Sequence, residues 1–432
     1  MNGIGKERIM QHDRVNSAVR DFLKRHLLDA DSFCREELLD RFLSEMETVR
    51  NGGAGSVKMI PAWIGRPVPI RKPVSVTAID VGGTNVRSTV ATMDDQGIQS
   101  LDRLPAFPTP GVGEELPTRE FFRRIVSGVE PHLQTGKICI CFSLANIPQK
   151  DRDAVVAAGA KQVNVPDLLG QRVGQCFREA AASLGLPNDQ EITVINDTVA
   201  AALGGWSENR AGRCSGFIGF IYGTGTNIAY PEPTGEIVNI ESGAYCAFPT
   251  GDIDDRYDAM LIDAGYDRFE KMVAGGYQGG LMTCILQTAA EEALLSRSFA
   301  ERLFVPGETP LTAADISAFS RNPSGENRIA AACEDDRERA ILCSIFDAVT
   351  ERSALLCSVT LTGAMLRSGI GRSPNAPVFI TAEGSTYLKQ KGFRELLERD
   401  LAEAGRKYGL FYMLQHVPDA VLKGTAIAAI SE

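Results

Sequence analysis

The chain has 432 residues, of which 44% are hydrophobic and 23% charged, and its formal net charge is −10. This is the composition of a globular protein with more than one domain, and the acidic balance disfavours sequence-independent nucleic-acid binding, which needs a basic face. We predict no membrane span and no signal peptide, because no apolar stretch is long enough and the first twenty residues are polar. The scattered cysteines and histidines predict neither a zinc site nor disulfides, and we expect a cytoplasmic protein.

The first 73 residues divide into a helical part and a proline-rich part. Apolar residues at helical spacing predict two amphipathic helices within residues 15–49, ended by Gly52 and Gly53. The following stretch, residues 57–73, contains too much proline for regular structure. We therefore interpret it as a connection between domains.

Short strands alternate with helical stretches from residue 74 to residue 195, a pattern typical of an α/β domain. The predicted strands are Val74–Ile79, Val86–Met93, Lys137–Leu144 and Ile192–Ile195, and the predicted helices are Thr118–Leu133 and Asp167–Leu184. Cys139 and Cys141 alternate within one of these strands, so we expect them to be small core residues on one face.

A similar pattern starts again at Gly216. Strands are predicted at Gly216–Tyr222, Ile228–Tyr230, Val378–Thr381 and Leu410–Gln415, with mostly helical sequence between them and a final helix at Asp419–Ile430. A charge run from Glu334 to Arg339 is expected to be a solvated face.

Two turns between predicted strands are rich in Gly, Thr and Asn. The first is Asp80-Val81-Gly82-Gly83-Thr84-Asn85, and the second is Gly223-Thr224-Gly225-Thr226-Asn227. Either could be a plain hairpin connection. Glycine also lets a backbone N–H approach phosphate closely, so the repetition favours two phosphate-binding loops in related halves of the chain. Neither turn fits the Walker or the Rossmann pattern.

The segment Asn196-Asp197-Thr198 stands where an apolar strand meets a helix of small residues. A helix cap is the simplest interpretation. In open α/β sheets, however, ligands bind at the carboxyl ends of strands, and an Asp placed there can accept the proton of a substrate hydroxyl.

Several polar residues interrupt apolar surroundings: Ser143, Lys161, Asn239, Glu241 and Glu270. Each alone could be a solvated surface group. Together they supply the donors and acceptors that a polyhydroxylated ligand requires.

In their order along the chain, eight segments resemble the eukaryotic-type hexokinase family, within the superfamily of sugar kinases, actin and the Hsp70 ATPase. These segments are MIPAWI, AIDVGGTNVR, VINDTVAA, YGTGTNIAY, NIESGAY, FEKMVAGGYQGG, ITAEGSTYLK and LKGTAIAAI. The resemblance implies a two-domain, actin-like (ribonuclease H-like) α/β fold with a sugar-binding cleft between the domains. The small domain would comprise residues 73–198 and 419–432, and the large domain residues 1–72 and 199–418.

The resemblance also implies roles for individual residues. Asp197 would be the general base for the 6-hydroxyl of a hexose. The other sugar-binding residues would be Ser143, Lys161, Asn196, Asn227, Glu241 and Glu270. ATP would be bound by Asp80, Gly82, Gly83, Thr84, Asn85, Arg87, Gly223, Thr224, Gly225, Gly384 and Ser385. Asp80 would address Mg²⁺ through water, and Arg87 would offer charge stabilisation.

The sequence departs from the family's pattern at four places. Ser143-Leu144-Ala145 replaces Ser-Phe-Pro, Ala160-Lys161-Gln162 replaces Thr-Lys-Gly, Glu241-Ser242-Gly243 replaces Glu-Trp-Gly, and Gly279-Gly280 replaces Gly-Glu. Asp197, Lys161 and both glutamates are retained, so we expect catalysis to survive. The lost sugar contacts put glucose preference and affinity in question.

We therefore predict ATP-dependent phosphorylation of a hexose, with glucose as the expected substrate. A catalytically weak sugar sensor on the same fold is the first alternative, and an actin-like or chaperone-like ATPase is the second. The bacterial repressor/kinase type of sugar kinase is disfavoured, because it carries a cysteine-rich zinc motif that has no counterpart here. The oligomeric state is left open.

Overall fold

Two six-stranded β-sheets and one small two-stranded sheet organise the chain in a computed structural model that describes residues 17–65, 70–158, 163–208 and 212–431. The strands are β1 Ile60–Pro61, β2 Val74–Val81, β3 Asn85–Asp94, β4 Gly97–Arg103, β5 Phe107–Pro108, β6 Lys137–Phe142, β7 Asn146–Pro148, β8 Ala154–Val156, β9 Glu191–Ile195, β10 Gly216–Tyr222, β11 Thr226–Pro231, β12 Ile237–Asn239, β13 Val378–Glu383 and β14 Tyr412–Gln415.

The helices lie mostly in the second half of the chain. They are α1 17–25, α2 Arg35–Arg50, α3 Thr118–Val129, α4 Val173–Ser183, α5 Asp197–Trp206, α6 Asp252–Ala259, α7 Arg268–Val273, α8 Gly275–Glu291, α9 Arg297–Leu303, α10 Ala313–Arg321, α11 Arg328–Ala332, α12 Asp336–Ser368, α13 Ser385–Lys389, α14 Phe393–Tyr408 and α15 Ala420–Ala428. Short 3₁₀ turns occur at Ala30–Ser32, Glu130–His132 and Ser242–Ala244. Among the helices described, none is both long and apolar enough to cross a membrane.

The first sheet has the strand order β4-β3-β2-β6-β9, and β5 pairs with β3. The β2–β3 hairpin is antiparallel, whereas β6 and β9 run parallel to β2, so their carboxyl ends meet at one edge. One face packs on α3 and α4. The other face carries Cys139 and Cys141, both fully buried against the side of α15, which confirms them as core residues.

The second sheet has the order β1-β12-β11-β10-β13-β14, and its β10–β11 hairpin is again antiparallel with β13 parallel to β10. The buried middle of α12 covers one face, and α5 packs against the other. Both predicted strand–turn–strand units are therefore present, one in each sheet.

Helices α5 and α15 join the two sheets. α5 follows β9 of the first sheet but packs on β10 of the second, whereas α15 follows β14 of the second sheet and packs on β2 of the first. Glycines allow this close crossing, because a Cβ at Gly424 would lie 1.7 Å from the Ala200 carbonyl oxygen. The first residue of α5 thus lies where the two sheets meet.

The two sheets also divide the chain. Strands of the first sheet fall within residues 74–195, and those of the second within residues 60–61 and 216–415. The domain limits at 73–198 with 419–432, and at 1–72 with 199–418, stay a prediction.

Two predicted helices are shorter in the structure. The helix from Thr118 ends at Val129, because Pro131 turns the next residues into a 3₁₀ segment. The helix expected from Asp167 begins only at Val173. Gly170 takes a φ of +79°, and the Asp167 carboxylate accepts a hydrogen bond from the Thr118 backbone, 2.8 Å away, so this segment serves as a turn and a cap for α3.

Two other expectations are corrected at places where polar sequence is built into the fold. The proline-rich connection contains β1, which pairs with β12 at the edge of the second sheet. The charge run is only partly a solvated face: Asp335 caps α12, and the buried Glu338 accepts hydrogen bonds from the backbone amides of Ser296 and Glu334 at 2.9 and 2.7 Å.

Candidate active site at the junction of the two sheets

The first glycine-rich loop, Gly82–Asn85, joins β2 to β3. The Gly82 amide donates to the Asn85 carbonyl at 3.0 Å, and Thr109 holds the loop from outside through its hydroxyl, which donates to the Gly82 carbonyl at 2.7 Å. Thr84 and Asn85 are exposed. The loop therefore has a fixed backbone and presents short polar side chains to solvent.

Asp80 lies just before this loop and is buried. Its Oδ2 accepts two hydrogen bonds from Arg87 on the neighbouring strand, from Nε at 3.0 Å and from Nη2 at 2.5 Å. Burial raises the pKa of Asp80 above its usual value, and the Arg87 guanidinium opposes that rise. The guanidinium therefore stabilises the ionised form of Asp80 at this buried position.

Asp197 is the first residue of α5, and Asn196 caps the helix by accepting from the Thr198 amide at 2.8 Å. Asp197 Oδ1 accepts from the Thr198 hydroxyl at 3.1 Å. Burial is the main reason that the pKa of Asp197 is raised to about 6, and the nearby charge of Asp80 adds to the rise. A carboxylate with such a pKa can hold and release a proton near neutral pH.

Glu241 belongs to a group of amides and carboxylates behind the second loop. Its Oε1 accepts from the Asn239 side chain at 2.6 Å and from Asn227 at 3.3 Å, and Asn227 also donates to Asn239 at 2.8 Å. Glu241 adopts a left-handed φ of +53°, so local strain accompanies its placement. Burial is the main cause of its raised pKa, and the charge of Asp197 contributes, which places the two carboxyl groups within electrostatic reach.

Glu270 lies on α7, against the same loop. Its Oε2 accepts from the Thr226 amide at 3.0 Å. A Cβ at Gly225 would lie 2.5 Å from that oxygen, and a Cβ at Gly243 would lie 2.8 Å from it. Only glycines at these two positions let the carboxylate reach the loop backbone.

The second loop is also fixed from its other side by α8 and α13. The Gly275 and Gly276 amides donate to the carbonyls of Gly223 and Thr224 at 2.9 and 3.0 Å. Gly384 has a φ of +119°, and a Cβ there would lie 2.2 Å from the Tyr222 carbonyl oxygen. The segment around Gly384 and Ser385 is therefore packed against Gly223.

A cavity of about 320 Å³ continues from this contact between α10 and α13. The residues that line it include Ser385, Thr386, Gln278, Thr350 and Gln390. It is large enough for a small-molecule ligand.

The structure brings most of the predicted site residues together. Four pairs of them are in contact or adjacent: Asp80 with Arg87, Asp197 with Asn196, Asn227 with Glu241, and Gly223 with Gly384. Ser143 follows β6, and its backbone amide donates to the Val81 carbonyl at 3.1 Å. Lys161 lies outside the described residues.

Some residues that shape the site had no role assigned from the sequence. Asn239, which holds Glu241, was noted only as a polar residue in an apolar run, and that interruption was the available signal. Gly275 and Gly276 lie in the segment FEKMVAGGYQGG that resembles the family, but no role was assigned to them; they leave room for backbone contacts from a distant segment.

Comparisons with known proteins place this geometry in a family. Two models described as hexokinase match residues 18–205 and 217–431. Hexokinase-3 of Oryza sativa subsp. japonica is 25% identical over 416 residues, covering 85% of this chain and 81% of that protein. Hexokinase-2 of Candida albicans is 24% identical over 425 residues, covering 88% and 84%. A solved hexokinase from Schistosoma mansoni, complexed with glucose, superposes with a TM-score of 0.78 at 21% identity and covers 96% of this chain and 99% of its own.

Proposed function

This chain belongs to the hexokinase family of sugar-phosphorylating enzymes, and on that premise we propose that it transfers the γ-phosphoryl group of ATP to the 6-hydroxyl of glucose. The observation that carries the proposal is the position of Asp197. Asp197 begins α5, the helix that follows β9 of the first sheet and packs on β10 of the second. The charge of Asp80 contributes to its raised pKa, so the two carboxyl groups lie close to each other. One candidate base thus lies between the two sheets that carry the loops.

The sugar side of the site would be built from Asn196, Asn227, Glu241 and Glu270, with Ser143 and Lys161 contributing from the small domain. Carboxylates and amides already fixed by neighbours suit this task, because each can bind a hydroxyl without first being ordered. The Schistosoma mansoni hexokinase of the same fold is complexed with glucose, which supports glucose as the first sugar to test.

The nucleotide side would use the two loops. Backbone amides of Gly82, Gly83 and the Gly223–Gly225 segment would approach the phosphates, Thr84, Asn85 and Thr224 would add side-chain donors, and Gly384 and Ser385 would adjoin the α-phosphate and ribose. The two loops lie at the ends of hairpins that belong to different sheets.

Mg²⁺ would be bound together with the nucleotide. Within the described residues, no group of three His, Cys, Asp or Glu side chains could hold a metal ion. Asp80, with Arg87 on one oxygen, can receive the hydrated face of a cation whose other ligands are phosphate oxygens. When bound, Mg²⁺ would neutralise charge on the phosphates.

In the proposed step, Asp197 accepts the proton of the sugar 6-hydroxyl as that oxygen forms a bond to the γ-phosphorus. The bond from the γ-phosphorus to the bridging oxygen breaks, and ADP leaves with that oxygen. Arg87 provides positive charge near the transferring group. Residues therefore supply position and electrostatics, which is what phosphoryl transfer requires.

A coupled ADP-release assay on a panel of hexoses tests the proposal. We expect glucose turnover in the wild type and a loss of about 10²–10⁴-fold in kcat for Asp197→Ala, with little change in sugar affinity by calorimetry. Gln175→Met, at an exposed position of α4, is the control variant.

Two results would contradict the proposal. Sugar binding with turnover at background would point to a sugar sensor. Full activity of Asp197→Ala would remove this residue from its role as the base.

A further inference from the structure

The cavity between α10 and α13 is lined by two glutamine side chains with a fixed hydrogen-bond direction. Resting on the proposed function, we propose that Gln278 and Gln390 select the base of the phosphoryl donor, favouring a 6-amino purine such as adenine over a 6-oxo purine. The argument uses the direction of each hydrogen bond around the cavity.

The cavity adjoins the loops at the point where a nucleoside would leave the phosphates. Thr386, which lines it, donates from its hydroxyl to the Gly223 carbonyl at 2.8 Å. Contacts between α10 and the residues around α13 border the cavity. Arg321 donates to the Lys389 carbonyl at 2.6 Å, and Lys391 donates to the Ser320 carbonyl at 2.6 Å. Ser385 also lines the cavity.

The direction of the network is set at one end by Val273. The Val273 carbonyl can only accept, so the nitrogen of Gln278, 3.2 Å away, must face it. The same Nε2 then donates to Gln390 Oε1 at 3.1 Å and faces the Tyr222 hydroxyl at 3.3 Å. A flipped Gln278 amide would put oxygen against oxygen at Val273.

Phe346 sets the direction at the other end. The Thr350 hydroxyl donates to the Phe346 carbonyl at 2.8 Å, so its oxygen is left to accept from Gln390 Nε2 at 3.3 Å. Both ends therefore impose the same orientation on Gln390. The Tyr222 hydroxyl lies 2.8 Å from the Val273 carbonyl and 3.0 Å from Gln390 Oε1, and its one hydrogen can donate to either acceptor.

This orientation determines which groups remain for a ligand. The hydrogen bonds of Gln278 within the described chain all use Nε2, which leaves its Oε1 as an acceptor. Gln390 uses one N–H towards Thr350 and keeps a second as a donor. Both side chains are partly exposed and line the cavity.

One acceptor and one donor on residues that line the cavity can complement an adenine edge, where the 6-amino group donates and N1 accepts. Guanine and hypoxanthine carry the reverse pattern, an oxygen at position 6 and a proton on N1. Binding them would oppose acceptor to acceptor and donor to donor, and buried polar groups left unpaired are costly. To adapt to the reversed edge, the Gln278 amide would have to turn its oxygen towards the Val273 carbonyl.

Inosine triphosphate is the sharpest probe, because hypoxanthine differs from adenine only at position 6 and N1. We expect the wild type to prefer ATP over ITP by about tenfold or more in kcat/KM with glucose as acceptor. In Gln278→Met and in Gln390→Met that ratio should fall towards about one, mainly through slower reaction with ATP. Gln175→Met should keep the wild-type ratio.

The donor ratio separates selection from a structural role. If either glutamine merely supported the fold, its variant would weaken both donors by the same factor, and an unchanged ratio in both variants would overturn the inference. Two variants on different elements, checked by thermal unfolding, guard against one failing to fold.

Calorimetry with ADP and IDP gives the same comparison without turnover. If the protein showed no turnover of any sugar but still bound ADP more tightly than IDP, only the proposed function would be contradicted. Equal binding of ADP and IDP by the wild type would contradict only the base selection.

Discussion

The two glycine-rich loops have similar sequences and the same strand–turn–strand setting, but their surroundings differ. A Cβ at Gly82 would have one neighbour within 4 Å, the Asn85 carbonyl oxygen at 3.2 Å. Thr84 and Asn85 are exposed to solvent. In the second loop, a Cβ at Gly225 would lie 2.5 Å from the Glu270 carboxylate. The Gly223 carbonyl accepts a hydrogen bond from α8, and Gly223 packs against Gly384. The first loop is contacted mainly by Thr109, whereas α7, α8 and α13 all contact the second loop.

The difference shows that glycine serves two purposes in this site. In the first loop it leaves the backbone accessible to an incoming phosphate. In the second it lets Glu270, a proposed sugar ligand, bond to the Thr226 amide of a proposed phosphate loop. The second loop can therefore couple sugar binding to nucleotide binding, whereas the first can act on the nucleotide alone.

The sharpest test of this comparison is Gly225→Ala. The added Cβ would force the Glu270 carboxylate or the loop to move, so we expect kcat/KM for glucose to fall about 100-fold, the scale on which a displacement of about 1 Å disturbs a reacting geometry. The KM values for sugar and for ATP should both rise. Steady-state kinetics with each substrate varied in turn measures the effect.

Gly136→Ala is the matched control for that substitution. No atom lies within 4 Å of a Cβ at Gly136, so its kinetics should equal those of the wild type. If Gly225→Ala altered only the KM for ATP, Glu270 would not couple the two sides.

The pH dependence of kcat/KM should show a smaller effect, through the influence of Asp80, just before the first loop, on the pKa of Asp197. Since Asp197 must be ionised to accept a proton and its pKa is about 6, kcat/KM should fall about tenfold for each pH unit below 6. The charge of Asp80 contributes to that raised pKa after burial itself. Asp80→Asn should therefore shift the acidic limb to lower pH, whatever it does to the maximum rate.

The second loop supplies the contrast for the pH profile. Thr224→Ala changes that loop without changing charge, and its acidic limb should stay at about pH 6. A limb that moved in Thr224→Ala but not in Asp80→Asn would contradict the assignment of Asp197 to the side of the first loop.

Local features of the chain were predictable because neighbouring residues determine them. Both hairpins and the start of α5 at Asn196-Asp197 lie where the pattern predicted, and the two-domain α/β fold class and the family are confirmed. The roles assigned to the site residues stay predictions, since the geometry only shows which of them meet.

Features that depend on distant partners were not predictable. Asp167 caps a helix 49 residues earlier in the chain instead of starting its own. Glu338 can be buried because its carboxylate accepts hydrogen bonds from the backbone amides of Ser296 and Glu334. The direction of the Gln278–Gln390 pair follows from two carbonyls on different helices. Residue types and spacing do not reveal such contacts between residues that are distant in the sequence.

The smallest predicted effect completes the comparison of the loops. Gly82→Ala meets only the Asn85 carbonyl at 3.2 Å, a contact that a shift of a few tenths of an ångström relieves, so its direct steric cost is low. A methyl group beside the phosphate path should nevertheless hinder backbone approach. We expect the KM for ATP to rise about threefold, the effect of weakening one hydrogen bond, with the KM for glucose unchanged. Steady-state kinetics decides this, because a parallel rise in the KM for glucose would mean that the first loop, too, is coupled to the sugar.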